Sequence, residues 1–127
     1  MHENDIAKDI VDVAYKVHTR LGLGLFEIVY EAILAYELDK RGHDVLRQKA
    51  LPVCYEGLTF DEGFRVDLIV DDRVLIEVKS VEQTLPVHKK QLLTYLKLMD
   101  KRLGLLINFG EAYIKDGITR LVNGLEE

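Results

Sequence analysis

The spacing of apolar residues changes abruptly at Gly42, and a chain that changes period there must place helices before strands. Upstream, Ile6, Ile10, Val13, Ala14, Val17 and Leu21 recur at three- and four-residue steps, which predicts an amphipathic helix over 5–21 with Asn4 as N-cap and Gly22 as stop. A second helical pattern runs over 26–41, with Val29, Ile33 and Tyr36 on one side and Gly42 ending it. Downstream, 45–55, 64–70 and 74–78 are rich in β-branched and aromatic residues, divided by Glu56-Gly57, Asp61-Glu62-Gly63 and Asp71-Asp72. Links this short favour antiparallel neighbours, so a three-stranded meander is expected. Pro86 opens a helix over 87–99, and 103–109 follows as a nearly all-apolar strand suited to a buried central position. The stretch 113–122, around Asp116-Gly117, reads as a peripheral hairpin or ragged edge. The expected fold class is therefore α/β (α+β), with N-terminal helices, a meander, a helix and a further strand on a mixed sheet.

At 127 residues the chain is expected to form one domain, 1–127. Hydrophobic residues at 48% and charged residues at 31% exclude a disordered or fibrous class. The net charge of -5 supplies no long-range attraction for nucleic acid or an anionic membrane, so any such binding must be local. Cys54, the single cysteine, reads as a free thiol of a reduced compartment, and no Cys/His spacing suits structural zinc. Acids stand near the start where a signal peptide carries bases, and no apolar run approaches the roughly 18 residues of a membrane span. A cytoplasmic protein with no membrane partner is expected.

The chemistry concentrates in Arg65-Val66-Asp67-Leu68-Ile69-Val70, a turn, and Leu75-Ile76-Glu77-Val78-Lys79. Alternation puts Glu77 and Lys79 on the face of Leu75, opposite Val74, Ile76 and Val78. In a hairpin closed at Asp71-Asp72, Asp67 can lie across from Glu77, bringing two carboxylates beside an ammonium. At about 4 Å such carboxylates repel by roughly 4 kcal/mol at an effective dielectric near 20. Lys79 offsets one charge, whereas a divalent cation with hard oxygen ligands offsets both, which suits magnesium and phosphoryl chemistry. The same three residues also fit a solvated sheet face carrying an ion pair worth under about 1 kcal/mol.

Context favours the chemical reading. On the helix after Lys79, Leu92, Leu96 and Met99 form an apolar arc, and Gln91 and Tyr95 fall between them, with His88 one turn earlier. These three are candidate substrate-binding groups, although a packed tyrosine, a glutamine on backbone and an exposed histidine are the plainer alternatives. Glu27, at the start of the second helix, is favoured there by the helix dipole, and Leu34 and Leu38 on its side allow it to face inward as a third carboxylate at the metal or a base for water. Basic residues crowd into 79–102, where Lys90 and Lys97 read as a solvated face and Lys79, Lys89 and the Lys101-Arg102 turn as candidate phosphate contacts. Nothing resembles a nucleotide-binding glycine loop, and neither Ser80 nor Cys54 has a nucleophile's partner.

The run Gly24-Leu25-Phe26-Glu27-Ile28-Val29-Tyr30 resembles the signature of the GxxExxY protein family. Asp67…Glu77-Val78-Lys79, His88-Lys89-Lys90-Gln91 with Tyr95-Leu96-Lys97, and Gly104-Leu105-Leu106-Ile107-Asn108-Phe109-Gly110 resemble its later segments, so the likeness covers nearly the whole chain. That family is placed in the PD-(D/E)XK nuclease-like superfamily, whose restriction-endonuclease-like core is a helix, a three-stranded meander, a helix and a strand. The resemblance implies Asp67 and Glu77 as magnesium ligands, with Mn able to substitute, Lys79 as the catalytic lysine, and Glu27 as the helix-borne acid. Gln91 and Tyr95 match residues that follow the core in the RecB-like branch. Val66 departs from the pattern by standing where the name-giving proline would be.

Two function classes follow. The first is a Mg-dependent nuclease hydrolysing phosphodiester bonds of DNA. The second is a catalytically inactive nuclease-like module that binds nucleic acid or protein, which the acidic balance and small size favour. An oligomeric structural protein is a third, plainer class.

Overall fold

The computed structural model describes residues 1–126, in the order α1 (Glu3–Leu21), α2 (Glu27–Lys40), β1 (Val45–Tyr55), β2 (Leu58–Val70), β3 (Val74–Lys79), α3 (Pro86–Met99), β4 (Leu103–Asn108), α4 (Ile114–Gly117) and β5 (Ile118–Val122). The strands form one sheet in the order β1-β2-β3-β4-β5. Neighbours are antiparallel except β3 and β4, whose parallel pairing uses α3 as the crossover that parallel strands require. All six residues of β4 are buried between β3 and β5, as its apolar run dictates. β5 is the edge strand that the C-terminal pattern left open, reached through the single turn of α4.

Alternation sorts the sheet into two cores. Leu68, Val70, Val74, Ile76, Val78, Leu103, Leu105 and Ile107 pack against α1 and α2. Val66, Ile69, Leu75 and Leu106 pack against Leu92 and Leu96 of α3. Each strand of the centre is thus apolar on both faces, and a charge can survive there only where the layers part.

Four local expectations are corrected. Helix α1 begins at Glu3, because His2 rather than Asn4 caps it, its Nδ1 accepting the Asn4 N–H at 2.9 Å. The buried side of α2 holds Tyr30, Glu31, Leu34, Ala35 and Leu38, whereas Val29 and Tyr36 are exposed. Apolar residues nearly encircle this helix, so its orientation is set by polar anchors: the Tyr30 hydroxyl donates to Gly22 O at 2.7 Å and Arg47 reaches Glu31. Asp61-Glu62-Gly63 is no turn but part of β2. A Cβ at Gly63 would lie 2.4 Å from Val53 Cγ2, so the glycine admits β1 beside the register shift between Leu51 and Val53. Lys101 bonds Asp72 and Arg102 bonds Asp100, so both basic residues serve their own end of the sheet rather than a phosphate near Lys79. That end, at Val74, is roughly 17 Å from Lys79 along β3.

A buried histidine ties that end together. His43 Nε2 lies 2.7 Å from Asp9 on α1 and Nδ1 2.6 Å from Asp71 in the β2–β3 turn, where Asp71 also accepts the Asp44 N–H. Burial works to lower the His43 pKa, but hydrogen bonds and charge from Asp71 and Asp9 outweigh it and raise the pKa. A raised histidine pKa gives stability that is complete below the unfolded value near 6.5 and lost as pH climbs through the folded value. Thermal melts of His43→Ala should therefore fall about 2–3 kcal/mol below wild type at pH 6, with the gap narrowing toward pH 9. A gap independent of pH would show that His43 acts by packing alone.

Candidate active site

The three strand charges meet where the sheet opens. The β2–β3 ladder pairs Val70 with Val74, Ile69 with Leu75 and Leu68 with Ile76, which places Asp67 and Glu77 next across the strands; there the ladder stops. In its place the Asp67 side chain accepts the Val78 N–H at 2.8 Å, and the Asp67 N–H approaches Glu77 Oε1 at 3.4 Å. Glu77 is only 6% exposed while Asp67 and Lys79 are half-buried, so the pair opens to solvent from the Asp67 side. Burial, followed by the charge of Asp67 and a hydrogen bond to it, pushes the Glu77 pKa up to about 9, against a smaller opposing effect of Lys79. Two carboxyl groups so placed disfavour double ionisation, so the pair tends to retain a proton, with Glu77 the more buried member. The Lys79 side chain makes no hydrogen bond or ion pair to another described residue, leaving its ammonium available beside Glu77.

Helix α3 closes the opposite wall. Tyr95 stacks on Phe64 of β2 with ring centroids 4.8 Å apart. Burial, together with the charges of Glu77 and Asp67, raises the Tyr95 pKa, and a hydrogen bond from Gln91 opposes it, so the phenol faces the carboxylate pair with Gln91 at its side. Gln91 itself is exposed. His88 instead caps α3, its Nδ1 accepting the Leu85 N–H at 3.1 Å.

Glu27 stands apart from the pair. It is exposed, and its Oε2 accepts the Ser80 N–H at 3.0 Å just beyond Lys79, while the Ser80 hydroxyl donates to Leu25 O at 2.7 Å. Tyr30, buried and stacked 4.4 Å from Phe109, fixes the same loop by donating to Gly22 O and accepting the Leu25 N–H. The glycine–glutamate–tyrosine run is therefore a clamp on the end of β3. Asn108, wholly buried at the end of β4, completes it by accepting the Val81 and Gly110 N–H groups at 3.0 Å. Among the described residues no three His, Cys, Asp or Glu side chains gather as a metal-holding group, so the carboxylates form a pair rather than a triad.

Two residues at the site escaped sequence reasoning. Glu31, 2% exposed, accepts from Arg47 Nη2 at 3.0 Å and from the Gln48 amide, and Gln48 Nε2 also donates to Asp67 at 3.2 Å. The signal for Glu31 was present, because it stands four residues after Glu27 and between the core positions Tyr30 and Leu34. Gln48 offered none, since its contact depends on a backbone reversal that residue type does not announce.

The donor set suits a hard divalent cation, because two carboxyl groups crowd one another to the point of retaining a proton that a doubly charged ion would displace. Comparison with protein families matches residues 4–121 to the PD-(D/E)XK nuclease superfamily. The chain belongs to that superfamily, and its mixed sheet with flanking helices is the restriction-endonuclease-like α+β fold. Members of the superfamily generally use divalent metal ions, and a nucleic acid substrate is implied. Comparison with curated proteins and with solved structures gave no significant match. Among the described residues, no helix is long and apolar enough to cross a membrane.

Proposed function

We propose that this protein is a Mg-dependent nuclease of the GxxExxY type that hydrolyses phosphodiester bonds of DNA, with Mn able to substitute. The observation that carries the reading is the facing pair Asp67 and Glu77, left unpaired by the ladder with the Lys79 ammonium beside it. Asp67 and Glu77 would hold the cation, which when bound polarises a phosphate oxygen and lowers the pKa of a coordinated water. Lys79 orients the attacking water and offsets the negative charge that develops on phosphorus oxygens. The Tyr95 hydroxyl, beside Gln91, positions the phosphate from the α3 wall, and His88, one turn before Gln91 on the same helix, adds a substrate contact beyond its cap on Leu85. Glu27 accepts a proton or hydrogen bond from water at the end of β3, where its clamp on Ser80 also holds Lys79 in place.

Two measurements test this. Purified protein should nick plasmid DNA with Mg or Mn and not with EDTA. Cation binding must expel the proton on Glu77, so calorimetry in buffers of different ionisation enthalpy should register proton release below about pH 9. Apparent affinity should then rise up to about tenfold per pH unit across that range. Affinity that ignores pH would place the ion elsewhere.

A second reading, an inactive nuclease-like binding module, draws on one observation: Lys101 and Arg102 are engaged with Asp72 and Asp100 rather than offered to a duplex. It predicts DNA binding without cation-dependent cleavage.

A further inference from the structure

Asp67 sits where the sheet reverses its own alternation. On β2, Phe64 and Val66 pack toward α3 while Leu68 and Val70 pack toward α1 and α2, although all four numbers are even. On β1, Val45 and Leu51 likewise face opposite layers. Both strands switch at one place, between the pairs Arg47–Leu68 and Lys49–Val66, and the intervening pair Gln48–Asp67 is absent from the ladder. Gln48 has φ 50°, a left-handed conformation unfavourable for a residue with a long side chain.

The reversal directs the Gln48 amide between two acids. Its Nε2 donates to Glu31 Oε1 and to Asp67 Oδ1, and both partners are carboxylates, so the amide fits in one orientation only. Glu31 is in turn gripped through its other oxygen by Arg47 Nε and Nη2. The second Asp67 oxygen takes the Val78 N–H, so the carboxylate is held from both sides and its plane is fixed.

We infer that Gln48 is a positioning residue: held by the Glu31–Arg47 pair on the helix layer, it orients Asp67 toward the cation. The inference rests on the proposed cation site and deepens it. Groups that orient metal ligands in this way typically contribute 10–100-fold in affinity. Strained backbone at Gln48 is then part of the device, since the reversal alone brings an amide from β1 within reach of both acids.

Gln48→Gly separates this role from a structural one, because glycine accepts the positive φ while deleting the amide. Calorimetric titration with MnCl2 should give a Kd raised about tenfold or more, with a Tm close to or above that of wild type. Gln48→Asn, which tolerates the same backbone but withdraws the amide, should fall between. In the unsubstituted protein, the Gln48 side-chain amide resonances should move on titration with diamagnetic Mg. A wild-type Kd in a variant of wild-type Tm, or amide resonances that stay put while Mg binds, overturns the inference and leaves the cation site standing. If the unsubstituted protein binds neither ion, the cation site itself fails, and this inference falls with it.

Discussion

Lys79→Ala is expected to lower DNA cleavage on the order of 10³-fold while leaving Tm within about 2 °C of wild type. The size follows from removing a positive charge aimed at the developing charge of a phosphoryl transition state in a partly desolvated site. The small stability effect follows from the surroundings. The Lys79 side chain is half-buried and hydrogen-bonded to no other described residue, so its loss strands no partner other than a carboxyl pair that already retains a proton. Cation binding should survive and tighten little, because Lys79 opposes the Glu77 shift only weakly. Cleavage that persists in both Lys79→Ala and Asp67→Ala would belong to a contaminant or another site, and cleavage absent from wild type would favour the inactive binding module.

Glu77→Gln should have the opposite balance, with activity and cation affinity lost and the cation-free fold stabilised. Folding raises the Glu77 pKa from 4.5 to about 9, so the folded chain binds a proton that the unfolded chain releases between those values. Wild-type stability in EDTA should therefore decline with pH across that window, by up to about 1.4 kcal/mol per unit. The amide of Glu77→Gln stays neutral at every pH, and should remove this decline and raise Tm by roughly 10–20 °C at pH 8–9. Saturating Mg should reverse the order by stabilising only the wild type. His43 contributes a fall of the same sign above pH 6.5, and it cancels in the difference between the two proteins. A Glu77→Gln protein no more stable than wild type at pH 9 would mean that the pair is relaxed in solution.

Much of this site was legible in the residues. Period-two alternation puts Glu77 and Lys79 on one face, and a tight turn at Asp71-Asp72, both with positive φ, fixes the register that brings Asp67 opposite Glu77. Tyr95 followed from the same logic, as a polar end on an otherwise apolar arc of α3. What stayed hidden depended on departures from regularity. Alternation extended through Gln48 assigns β1 to the wrong layers, because nothing in a glutamine signals a left-handed backbone. Glu31 was masked by Glu27, which carries the sequence signature but ends on the Ser80 backbone while its neighbour one turn on goes into the core. Gly63 was read as a turn because the glycine's purpose, admitting Val53, lies on another strand.

The most direct measurement is anomalous scattering from a crystal grown with MnCl2. A single strong peak within coordination distance of both Asp67 and Glu77, lost in Glu77→Gln, is the predicted result. Manganese bound elsewhere with the two carboxyl groups still sharing a proton, or the two side chains turned apart into solvent, would contradict the account.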